Sequence, residues 1–504
     1  MTDVGELIAG VLAVEPSADA VAFGDEWWTW ATLAARIAEL ETLYAGLGLG
    51  KGTRIGVMLR NRPPHLAALF SAVATGRCLV TLNPLYPDAA LAADIARLDL
   101  PVLVGDRDDL ARAEVLAAAR AQGTAVIGLS SDGASLIEAG QSSLWRRRTA
   151  PDVIIEMLTS GTTGKPKRVG LGRAAFQHSF DAALAYEGGR DDAAAPRLRS
   201  GTQVMMAPMT HIGGVWGAIN AVAAGRKLAL LERFRVEDWR RAVIRHRPKV
   251  AGVTAAALRM ILDADLPRED LASIAVLTAG AAPVPPDTID AFLARYDIPV
   301  LANYGATEFA GPVAGWSLAD FRAHNPAKRG AAGRIQRDVE ARIVDPDTGS
   351  VLGEDTAGVL ELRSPQLPDP LTWLRTTDLA SIDADRFLTI HGRADHAIIR
   401  GGFKIQPEDV VRAIETHPGV REAVVVGIPD KRLGEVPAAA VIVRTGSAAP
   451  DAVGLEAHVR ELLLPYQVPV LFAIVEDLPR TASMKPVLPA IATLLTERRS
   501  AMCQ

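Results

Sequence analysis

The sequence predicts an α/β protein with a large N-terminal domain of parallel-rich β-sheets flanked by helices, and a small α+β domain at the C-terminal end. Helix-period stretches alternate with short apolar runs through most of the chain, which favours parallel strands joined by helices. Near residue 338 this pattern gives way to short alternating strands. The chain has 504 residues, more than one hydrophobic core normally holds, so we expect at least two domains.

The N-terminal part carries the alternation from which the parallel sheet is predicted. Residues 32–49 and 64–74 have the spacing of helices, and glycines close the first of them. Short apolar runs predict buried strands at residues 54–59, 227–231, 250–253, 274–278 and 300–302. Residues 188–200 are rich in Gly, Ala, Asp and Arg and predict a surface loop.

The C-terminal part has a different pattern of predicted strands and helices. Alternating strands are predicted at residues 339–344 and 358–362, and a last unit begins near Gly392. The elements predicted for this unit are helices at 407–416 and from 455 onward, and strands at 422–427 and 438–443. This order predicts a small α+β domain.

Composition and charge argue against several classes of protein. The chain is 49% hydrophobic and 22% charged, as folded globular proteins are. Its net charge of -5 gives no overall attraction to nucleic acid. No apolar run reaches the roughly 18 residues of a membrane span, and the acidic start differs from a signal peptide, so we expect a cytoplasmic protein. Cys78 and Cys503 show neither metal-ligand nor CxxC spacing.

The strongest motif is a run of glycines, hydroxyls and lysines that follows the apolar residues 153–158. It consists of Thr159, Ser160, Gly161, Thr162, Thr163, Gly164, Lys165, Pro166 and Lys167. Glycines let backbone N–H groups approach an anion, hydroxyls add donors and lysines add countercharge, so the run suits a triphosphate. Its glycine spacing differs from a Walker loop, and residues 169–171 predict a strand. From the residues alone, a Gly/Thr hairpin without a ligand is an equal alternative.

The order of these nine residues resembles the phosphate-binding signature of the adenylate-forming superfamily, which includes acyl-CoA synthetases, adenylation domains of peptide synthetases and luciferases. The resemblance implies an AMP- and acyl-binding domain over residues 1–393 that includes a distorted β-barrel part. It implies a mobile C-terminal domain over residues 394–504. The run itself is then expected to bind the phosphates of ATP, with Thr162 also at a magnesium ion.

Two segments further along resemble the nucleotide-binding motifs of the same family. In residues 303–308 the resemblance implies that the Tyr304 ring stacks on adenine, Thr307 meets the α-phosphate and Glu308 holds magnesium. An aromatic face suits a base, and a carboxylate is a hard ligand that magnesium prefers. Residues 278–283 resemble a turn beside the adenine and the acyl chain. The nucleotide-binding residues implied here are Gly280, Ala281, Ala282, Asn303, Tyr304 and Gly305.

The resemblance continues into the last part of the chain. Asp378 matches the carboxylate that accepts from the ribose hydroxyls, although Thr377 replaces the usual glycine. Arg393 is implied to contact ribose or phosphate, and Asp395 to be the hinge of the small domain. The strip that follows is implied to wall a pantetheine tunnel and consists of Gly401, Gly402, Phe403 and Lys404.

A lysine near the C-terminus completes the resemblance. Lys485 is similar to the family lysine that bridges the attacking carboxylate and the α-phosphate, where an ammonium offsets developing charge. Met484 stands where the family usually has glycine.

Residues 206–216 are similar to the acyl-pocket helix of the family, with His211 as a gate or stacking residue at the catalytic centre. The candidates include no Asp to pair an α-ammonium and no Arg to pair a second carboxylate. We therefore expect an apolar monocarboxylic acid, aryl, cyclic or medium-chain, with Trp216 and Phe309 limiting its length. The pocket candidates, which also suit an ordinary core, are Ile212, Val215, Trp216, Phe309, Pro312 and Val313.

Taken together, the resemblance implies an ATP-dependent, AMP-forming ligase that joins a carboxylic acid to coenzyme A through an acyl-adenylate. Its expected partners are the acid, ATP with Mg²⁺, and coenzyme A as co-substrate, with no nucleic acid, no membrane span and a monomer or homodimer. Two alternatives stay open. One is a fatty acyl-AMP ligase that loads a carrier protein, although such members usually carry an insertion and this chain is short at residues 367–373. The other is a nucleotide-binding protein without catalysis, motivated by Met484 and Thr377.

Overall fold

The computed structural model describes residues 3–141, 149–159, 167–186, 196–280, 282–401, 403–444, 450–481 and 484–502. They confirm the predicted α/β class. The chain forms two compact units, the first from Met1–Asp338 with Ser364–Thr372 and the second from Val339–Arg363 with Trp373–Gln504. The domain boundary expected between residues 393 and 394 stays a prediction.

Helices and strands alternate in the first unit, as predicted. Its helices are α1 (Val4–Leu12), α2 (Trp30–Gly46), α3 (Pro63–Val73), α4 (Asp88–Leu98), α5 (Arg107–Leu110), α6 (Ala113–Ala121), α7 (Arg173–Tyr186), α8 (Ile212–Ala223), α9 (Val236–His246), α10 (Ala255–Asp263), α11 (Pro286–Tyr296) and α12 (Leu318–His324). Its strands are β1 (Asp19–Phe23), β2 (Glu26–Thr29), β3 (Arg54–Met58), β4 (Cys78–Leu82), β5 (Val102–Asp106), β6 (Ala125–Ser130), β7 (Gly133–Glu138), β8 (Val153–Thr159), β9 (Lys167–Gly172), β10 (Thr202–Met205), β11 (Lys227–Leu230), β12 (Val250–Thr254), β13 (Val276–Gly280), β14 (Val300–Ala306), β15 (Gly311–Gly315) and β16 (Gly333–Ile335).

The strands of the first unit are ordered mainly by parallel pairing. One sheet has the order β7-β6-β5-β3-β4-β8-β9, in which the inner strands are parallel and β7 and β9 pair antiparallel at the edges. Another has the order β10-β11-β1-β2, and β12 to β16 follow one another in a third. The five strands predicted from apolar runs are present as β3, β11, β12, β13 and β14, but β12 is exposed along one side, where Val250 is 52% exposed.

The seven-stranded sheet is buried on both faces. Ile55 and Val57 of β3 belong to one apolar cluster, whereas Met58 of β3 and Val80 of β4 belong to another. Successive strand residues point to opposite faces, so a strand that is covered on both sides needs an unbroken apolar run. This requirement explains why such runs could be predicted as strands.

The second unit contains two antiparallel systems. Its strands are β17 (Glu340–Val344), β18 (Gly358–Arg363), β19 (Leu374–Ile382), β20 (Phe387–Arg393), β21 (Ile398–Arg400), β22 (Phe403–Ile405), β23 (Val420–Asp430), β24 (Gly434–Val443) and β25 (Phe472–Ile474), and its helices are α13 (Pro407–Glu415), α14 (Ala452–Leu462) and α15 (Leu488–Met502). Strands β17 to β20 pair antiparallel in sequence order. Within the described part of the chain no pairing closes them into a barrel, so the expected barrel part is an open sheet.

The remaining strands form a sheet of order β22-β21-β24-β23, with β25 paired to β24. Val425 of β23 packs in a cluster with Ile414 of α13 and Val459 of α14, whereas its neighbour Val424 packs in a cluster with Ile491 of α15. Helices therefore cover both faces of this sheet, as in the predicted α+β domain. No helix among the described residues has both the length and the apolar character that crossing a bilayer demands.

Candidate functional site

The glycine-hydroxyl-lysine run is carried by a β-hairpin. Strand β8 pairs antiparallel with β9, and Thr159 lies opposite Lys167. Arg168 anchors β9, because its Nη2 donates to Oδ2 of the buried Asp94 at 2.6 Å and its Nη1 donates to the carbonyl of Thr81 at 3.2 Å. The predicted strand after the run is thus confirmed. Six of the predicted phosphate-binding residues lie outside the described residues: Ser160, Gly161, Thr162, Thr163, Gly164 and Lys165.

The two segments predicted to bind the nucleotide meet at the carboxyl ends of the adjacent parallel strands β13 and β14. Ala279 of β13 lies opposite Ala302 of β14. A Cβ added to Gly280 would lie only 2.3 Å from Oδ1 of Asn303, so the amide occupies the place that a side chain would take. The sequence places Gly280 and Asn303 far apart, and the sheet brings them into contact. Ala281 lies outside the described residues, and Ala282 follows it in a bend.

A short 3-10 turn at Thr307–Phe309 follows β14 and packs against β9. Ala310 closes this turn in the left-handed conformation, with φ of 56°. The Tyr304 ring lies 6.0 Å from the Phe309 ring at an angle of 53°. The half-buried Thr307 and Glu308 therefore lie beside β9, the strand that follows the glycine-hydroxyl-lysine run.

His211 lies at the start of α8, where its carbonyl accepts from the N–H groups of Gly214 and Val215 at 3.1 Å each. The helix expected over residues 206–216 begins only at Ile212. Pro208 has no N–H group to donate to a helix. A Cβ on Gly214 would lie 2.2 Å from the Pro208 carbonyl, so glycine is needed at this close approach.

Asn61 fixes the segment before α8 and is a residue that sequence reasoning missed. Its side chain is 3% exposed, and its Nδ2 donates to the carbonyls of Ala207 at 3.0 Å and Leu231 at 3.1 Å. Its Oδ1 accepts from the N–H of Met209 at 2.9 Å. All three partners are backbone groups far away in the sequence, so no local pattern around Asn61 could have revealed them.

The predicted pocket residues lie on α8 and near β15. Val215, Phe309 and Val313 are buried, whereas Ile212 and Trp216 are half-buried and pack against the main apolar cluster. These placements suit both a pocket wall and an ordinary core, which was the ambiguity that the sequence left.

In the second unit, Asp378 of β19 lies opposite Arg393 of β20. Arg393 donates from Nε to Oδ1 of Asp395 at 2.9 Å, and from Nη2 to the hydroxyl of Thr377. Burial raises the pKa of the Asp395 carboxyl, but its hydrogen bond and ion pair with Arg393 outweigh this and hold the pKa below its usual value. Thr377 does not have a positive φ, so this departure from the family leaves an ordinary backbone and adds a partner for Arg393.

The predicted tunnel strip is the turn between β21 and β22. Gly401 has φ of 55° and donates its N–H to the carbonyl of Leu433 at 2.8 Å. Phe403 is 57% exposed and stacks on Tyr466, with ring centroids 4.7 Å apart and an angle of 22°. Gly402 and the side chain of Lys404 lie outside the described residues. An exposed aromatic ring beside a glycine turn thus packs against the Tyr466 ring.

Lys485 lies in a tight turn that Arg480 anchors. The Lys485 N–H donates to the Thr481 hydroxyl at 3.2 Å, and its carbonyl accepts from the Thr481 N–H at 2.8 Å. Arg480 donates to the Met484 carbonyl at 3.1 Å and to Oε2 of Glu422 in β23 at 2.6 Å. The exposed Lys485 side chain therefore extends from a backbone that Arg480 ties to β23 in the β22-β21-β24-β23 sheet.

Met484 has φ of 64°, the left-handed region in which a side chain is strained by about 1 kcal/mol. We expect Met484→Gly to relieve this strain and Met484→Val to increase it, because β-branched residues are poorest in this region. In thermal unfolding, the valine variant should lose about 1 kcal/mol of the free energy of unfolding. The glycine variant should lose none, because relief of the strain offsets the larger backbone entropy that glycine loses on folding. Equal melting temperatures for the valine variant and the wild type would contradict this account.

Glu408 lies against the backbone of Gly392, where a Cβ would be 2.6 Å from Oε2 of the carboxyl. Gly392 also has φ of 148°, so this position is doubly restricted to glycine. Burial raises the pKa of the Glu408 carboxyl above its usual value of 4.5. Because the pKa of Glu408 is higher in the folded state than in the unfolded state, its charged form opposes folding. The free energy of unfolding therefore falls as the pH rises from the unfolded-state pKa to the folded-state pKa.

Glu408→Gln is therefore expected to raise the melting temperature by about 2 °C at pH 8, with the gain vanishing towards pH 4.5. The exposed Glu461 on α14 provides the control, and Glu461→Gln should leave the melting temperature unchanged at both pH values. A gain for Glu408→Gln that persists undiminished at low pH would show that charge burial is not its cause.

The structure thus groups the predicted residues within each unit. In the first unit, Lys167, Thr307–Phe309 and the Gly280–Asn303 contact belong to neighbouring strand ends. In the second unit, the predicted residues lie on the β19–β20 ladder, the β21–β22 turn and the turn at Lys485.

Family models match most of the chain. The model described as AMP-binding enzyme matches residues 10–368, and the model described as AMP-binding enzyme C-terminal domain matches residues 412–485.

Individual relatives agree with these matches. The rice protein 4-coumarate--CoA ligase 3 (Oryza sativa subsp. japonica) is 28% identical over 425 residues, which cover 80% of this chain and 75% of that protein. ATP-bound MatB from Rhodopseudomonas palustris has the same fold, with a TM-score of 0.83 at 22% identity over 99% of this chain and 100% of MatB. The amide bond synthetase McbA from Marinactinospora thermotolerans matches with a TM-score of 0.79 at 26% identity, covering 98% of this chain and 100% of McbA.

Proposed function

The chain belongs to the family of AMP-binding enzymes, and on that premise we propose that it is an AMP-forming ligase that joins an apolar monocarboxylic acid to coenzyme A. The acid is aryl, cyclic or medium-chain, and it is activated as an acyl-adenylate. Relatives named as CoA ligases support the acceptor. The pocket candidates include no Asp to pair an ammonium group and no Arg to pair a second carboxylate, which supports an acid whose reacting carboxylate is its only charged group.

One observation carries this proposal above the others. The turn at Thr307–Phe309 packs against β9, the strand on which the glycine-hydroxyl-lysine hairpin closes. The turn therefore adjoins the strand that ends the remote glycine-hydroxyl-lysine run, and both segments have the residue types that a nucleoside triphosphate requires. A hairpin without a ligand gives no reason for this juxtaposition.

In the first step an oxygen of the acid attacks the α-phosphorus of ATP, and pyrophosphate leaves with the bonding electron pair. The Thr307 hydroxyl donates to the α-phosphate, and the Lys485 ammonium offsets negative charge on the phosphoryl oxygens. His211 flanks the acid from the start of α8. Phosphate contacts come from Thr159 to Lys167, and Tyr304, Gly280, Ala281, Ala282, Asn303 and Gly305 hold the base.

Magnesium fits the donor set of the first unit. Glu308 offers a half-buried carboxylate beside β9, and no group of three or more His, Cys, Asp or Glu among the described residues is arranged to hold a metal ion. A single carboxylate with the Thr162 hydroxyl suits an ion that takes its other ligands from phosphate and water. When bound, magnesium neutralises charge on the phosphates.

In the second step the thiol of coenzyme A attacks the acyl carbonyl, the C–O bond to phosphate breaks, and AMP leaves. Asp378 and Arg393 hold the ribose through both steps. We propose that residues 394–504 turn about Asp395 between the steps, which requires the Arg393–Asp395 pair to open. The strip formed by Gly401, Gly402, Phe403 and Lys404 then flanks the pantetheine, because glycines let a thin chain pass close to the backbone.

A panel of carboxylic acids tests the proposal with three readouts. Pyrophosphate release that depends on the acid shows adenylation, and AMP and thioester that appear only with coenzyme A show the ligase. Adenylation without thioester would instead favour delivery to a carrier protein. ATP binding with no release for any acid would leave a non-catalytic nucleotide-binding protein and overturn the proposal.

A further inference from the structure

A cavity of about 480 Å³ in the first unit is lined by none of the residues predicted to take part in the ligase reaction. It lies at the carboxyl ends of parallel strands that belong to two different sheets. Phe23 ends β1 and Asp106 ends β5, whereas Arg62 follows β3 and Glu232 follows β11. Four strand ends therefore converge on a space that the proposed reaction does not use.

The order of the strands explains why a cavity forms at this place. In the seven-stranded sheet, β3 and β5 are neighbours, but the chain continues from β3 to β4 on one side and from β5 to β6 on the other. Two parallel strands whose connections leave in opposite directions open a crevice beyond their carboxyl ends, and open α/β sheets bind ligands in this crevice. The glycine-hydroxyl-lysine run follows β8, which β4 separates from β3. The crevice is therefore not occupied by the phosphate hairpin.

The charges of the lining define the sign of a ligand. Four carboxylates and two guanidiniums line the cavity, those of Glu26, Asp106, Asp108, Glu232, Arg62 and Arg107. Arg62 donates from Nη1 to Asp106 at 2.7 Å and from Nη2 to Glu232 at 2.6 Å. The exposed carboxylates of Glu26 and Asp108 form no hydrogen bond or ion pair with any other described residue. The excess negative charge favours a cation.

The same lining disfavours an anion. Helix α3 begins at the cavity with Pro63 and Pro64, which have no N–H group to donate to an anion. The Arg62 guanidinium already binds two carboxylates. Arg107 donates to the neutral hydroxyl of Ser135 at 2.7 Å and so leaves the excess negative charge in place. An anion would therefore meet net repulsion without helix N–H donors to offset it.

Two aromatic rings lie beside one of the unpaired carboxylates. Phe23 of β1 and Glu26 of β2 are cross-strand partners, and Trp28 is two residues beyond Glu26. Side chains at such positions share one face of a hairpin. Phe23 and Trp28 are half-buried and pack against the main apolar cluster, so their rings have fixed support. Aromatic faces next to a carboxylate are suited to an ammonium or guanidinium group.

A metal ion would not use this lining. Aromatic rings and prolines supply no metal ligands. No group of three or more His, Cys, Asp or Glu within the described ranges is arranged to hold a metal ion. An organic cation, by contrast, can place its carbon atoms against the rings and its charge beside the carboxylates.

We propose that this cavity is a second ligand site, which binds a small organic cation with an ammonium or guanidinium group on an apolar body. Glu26 and Asp108 pair with the cationic group, and Phe23 and Trp28 pack against the carbon atoms. The site goes beyond the proposed ligase activity, because it shares none of the residues assigned to that reaction.

Three probes of equal length test the charge that the cavity selects. We would measure binding of hexylammonium, hexan-1-ol and hexane-1-sulfonate to the full chain by titration calorimetry at pH 7.5, without ATP or acid. Hexylammonium should bind at least about tenfold more tightly than the neutral and the anionic probe. Its affinity should fall when the salt concentration rises from 50 to about 500 mM, because exposed charges are screened.

Substitutions in the lining locate the bound cation. Glu26→Gln, Asp108→Asn and Trp28→Leu should each weaken hexylammonium binding by about twofold to fivefold, as expected for one exposed ion pair or one cation–π contact. The triple variant should lose at least about tenfold. Leucine keeps an apolar surface at position 28, so hexan-1-ol should bind the Trp28→Leu variant as it binds the wild type.

Asp25 supplies the matched control, since it is an exposed carboxylate next to Glu26 but already pairs with Arg245. Asp25→Asn should bind hexylammonium as the wild type does. Glu26→Gln and Asp108→Asn change exposed side chains and should keep the wild-type melting temperature, so they test the site even if the triple variant is unstable.

The site and the ligase fail independently. Equal affinity for the three probes, or hexylammonium binding that is unchanged in Glu26→Gln and Asp108→Asn, would overturn the cation site. Acid-dependent pyrophosphate release should be the same in these two variants and the wild type, which supports a site apart from the reaction. A chain that releases no pyrophosphate with any acid but binds hexylammonium through Glu26 and Asp108 would overturn the ligase and support the cation site.

Discussion

Lys485→Ala is expected to lower acid-dependent pyrophosphate release by about a hundredfold to a thousandfold, the range observed when one charge-stabilising donor is removed from a transition state. The turn that carries Lys485 is held by Arg480, which bonds to Met484 and to Glu422 of β23. Because Arg480 ties this backbone to β23, the substitution should remove the ammonium and leave the fold intact.

The step that fails identifies the role of this lysine. Thioester formation from a supplied acyl-adenylate and coenzyme A should proceed at the wild-type rate in Lys485→Ala, because the proposed role of the ammonium ends with adenylation. Lys431, an exposed lysine in the turn between β23 and β24, is the matched control. Lys431→Ala should retain both half-reactions, and full adenylation by Lys485→Ala would refute the assignment.

Glu308→Gln is expected to have the next largest effect, a loss of about a hundredfold in pyrophosphate release at low magnesium. The substitution keeps the shape of the side chain and removes the charge that magnesium prefers. A titration of activity against magnesium should show a higher half-saturating concentration, with part of the lost rate recovered at high magnesium.

The control for this prediction is Glu269→Gln, which changes an exposed carboxylate in the 3-10 turn Arg268–Leu271 of the same unit. It should leave both the rate and the magnesium dependence unchanged. An identical magnesium titration for Glu308→Gln and the wild type would remove Glu308 from the metal site.

The sequence was most informative where local pattern and burial agree. Strand β3 could be predicted because a strand covered on both faces needs apolar residues at every position, as Ile55, Val57 and Met58 show. The start of α8 was less predictable, because Pro208 and the hydrogen bonds of Asn61 end the extended segment at a point that helical periodicity does not mark.

The candidate site also has a part that the sequence could predict and a part that it could not. Its motifs could be recognised from residue order, whereas the supporting contacts join residues that are distant in the chain. Asn61 with Met209 and Arg480 with Glu422 are pairs of this kind, and no spacing rule connects their members.

The two departures from the family pattern have different physical outcomes. Thr377 adopts an ordinary backbone and binds Arg393, so its side chain adds a contact. Met484 adopts the left-handed conformation for which glycine is usual, so its side chain adds strain. A substitution at a glycine position can thus be judged only when φ is known.

The side chain of Asn61 holds the approach to α8 entirely through the carbonyls of Ala207 and Leu231 and the N–H of Met209. These contacts use only backbone groups, so replacing the half-buried Ala207 or Leu231 keeps them, whereas Met209 is also fully buried in the main apolar cluster. Replacements of Ala207 or Leu231 should therefore leave the start of α8, which carries the proposed pocket residues, in place.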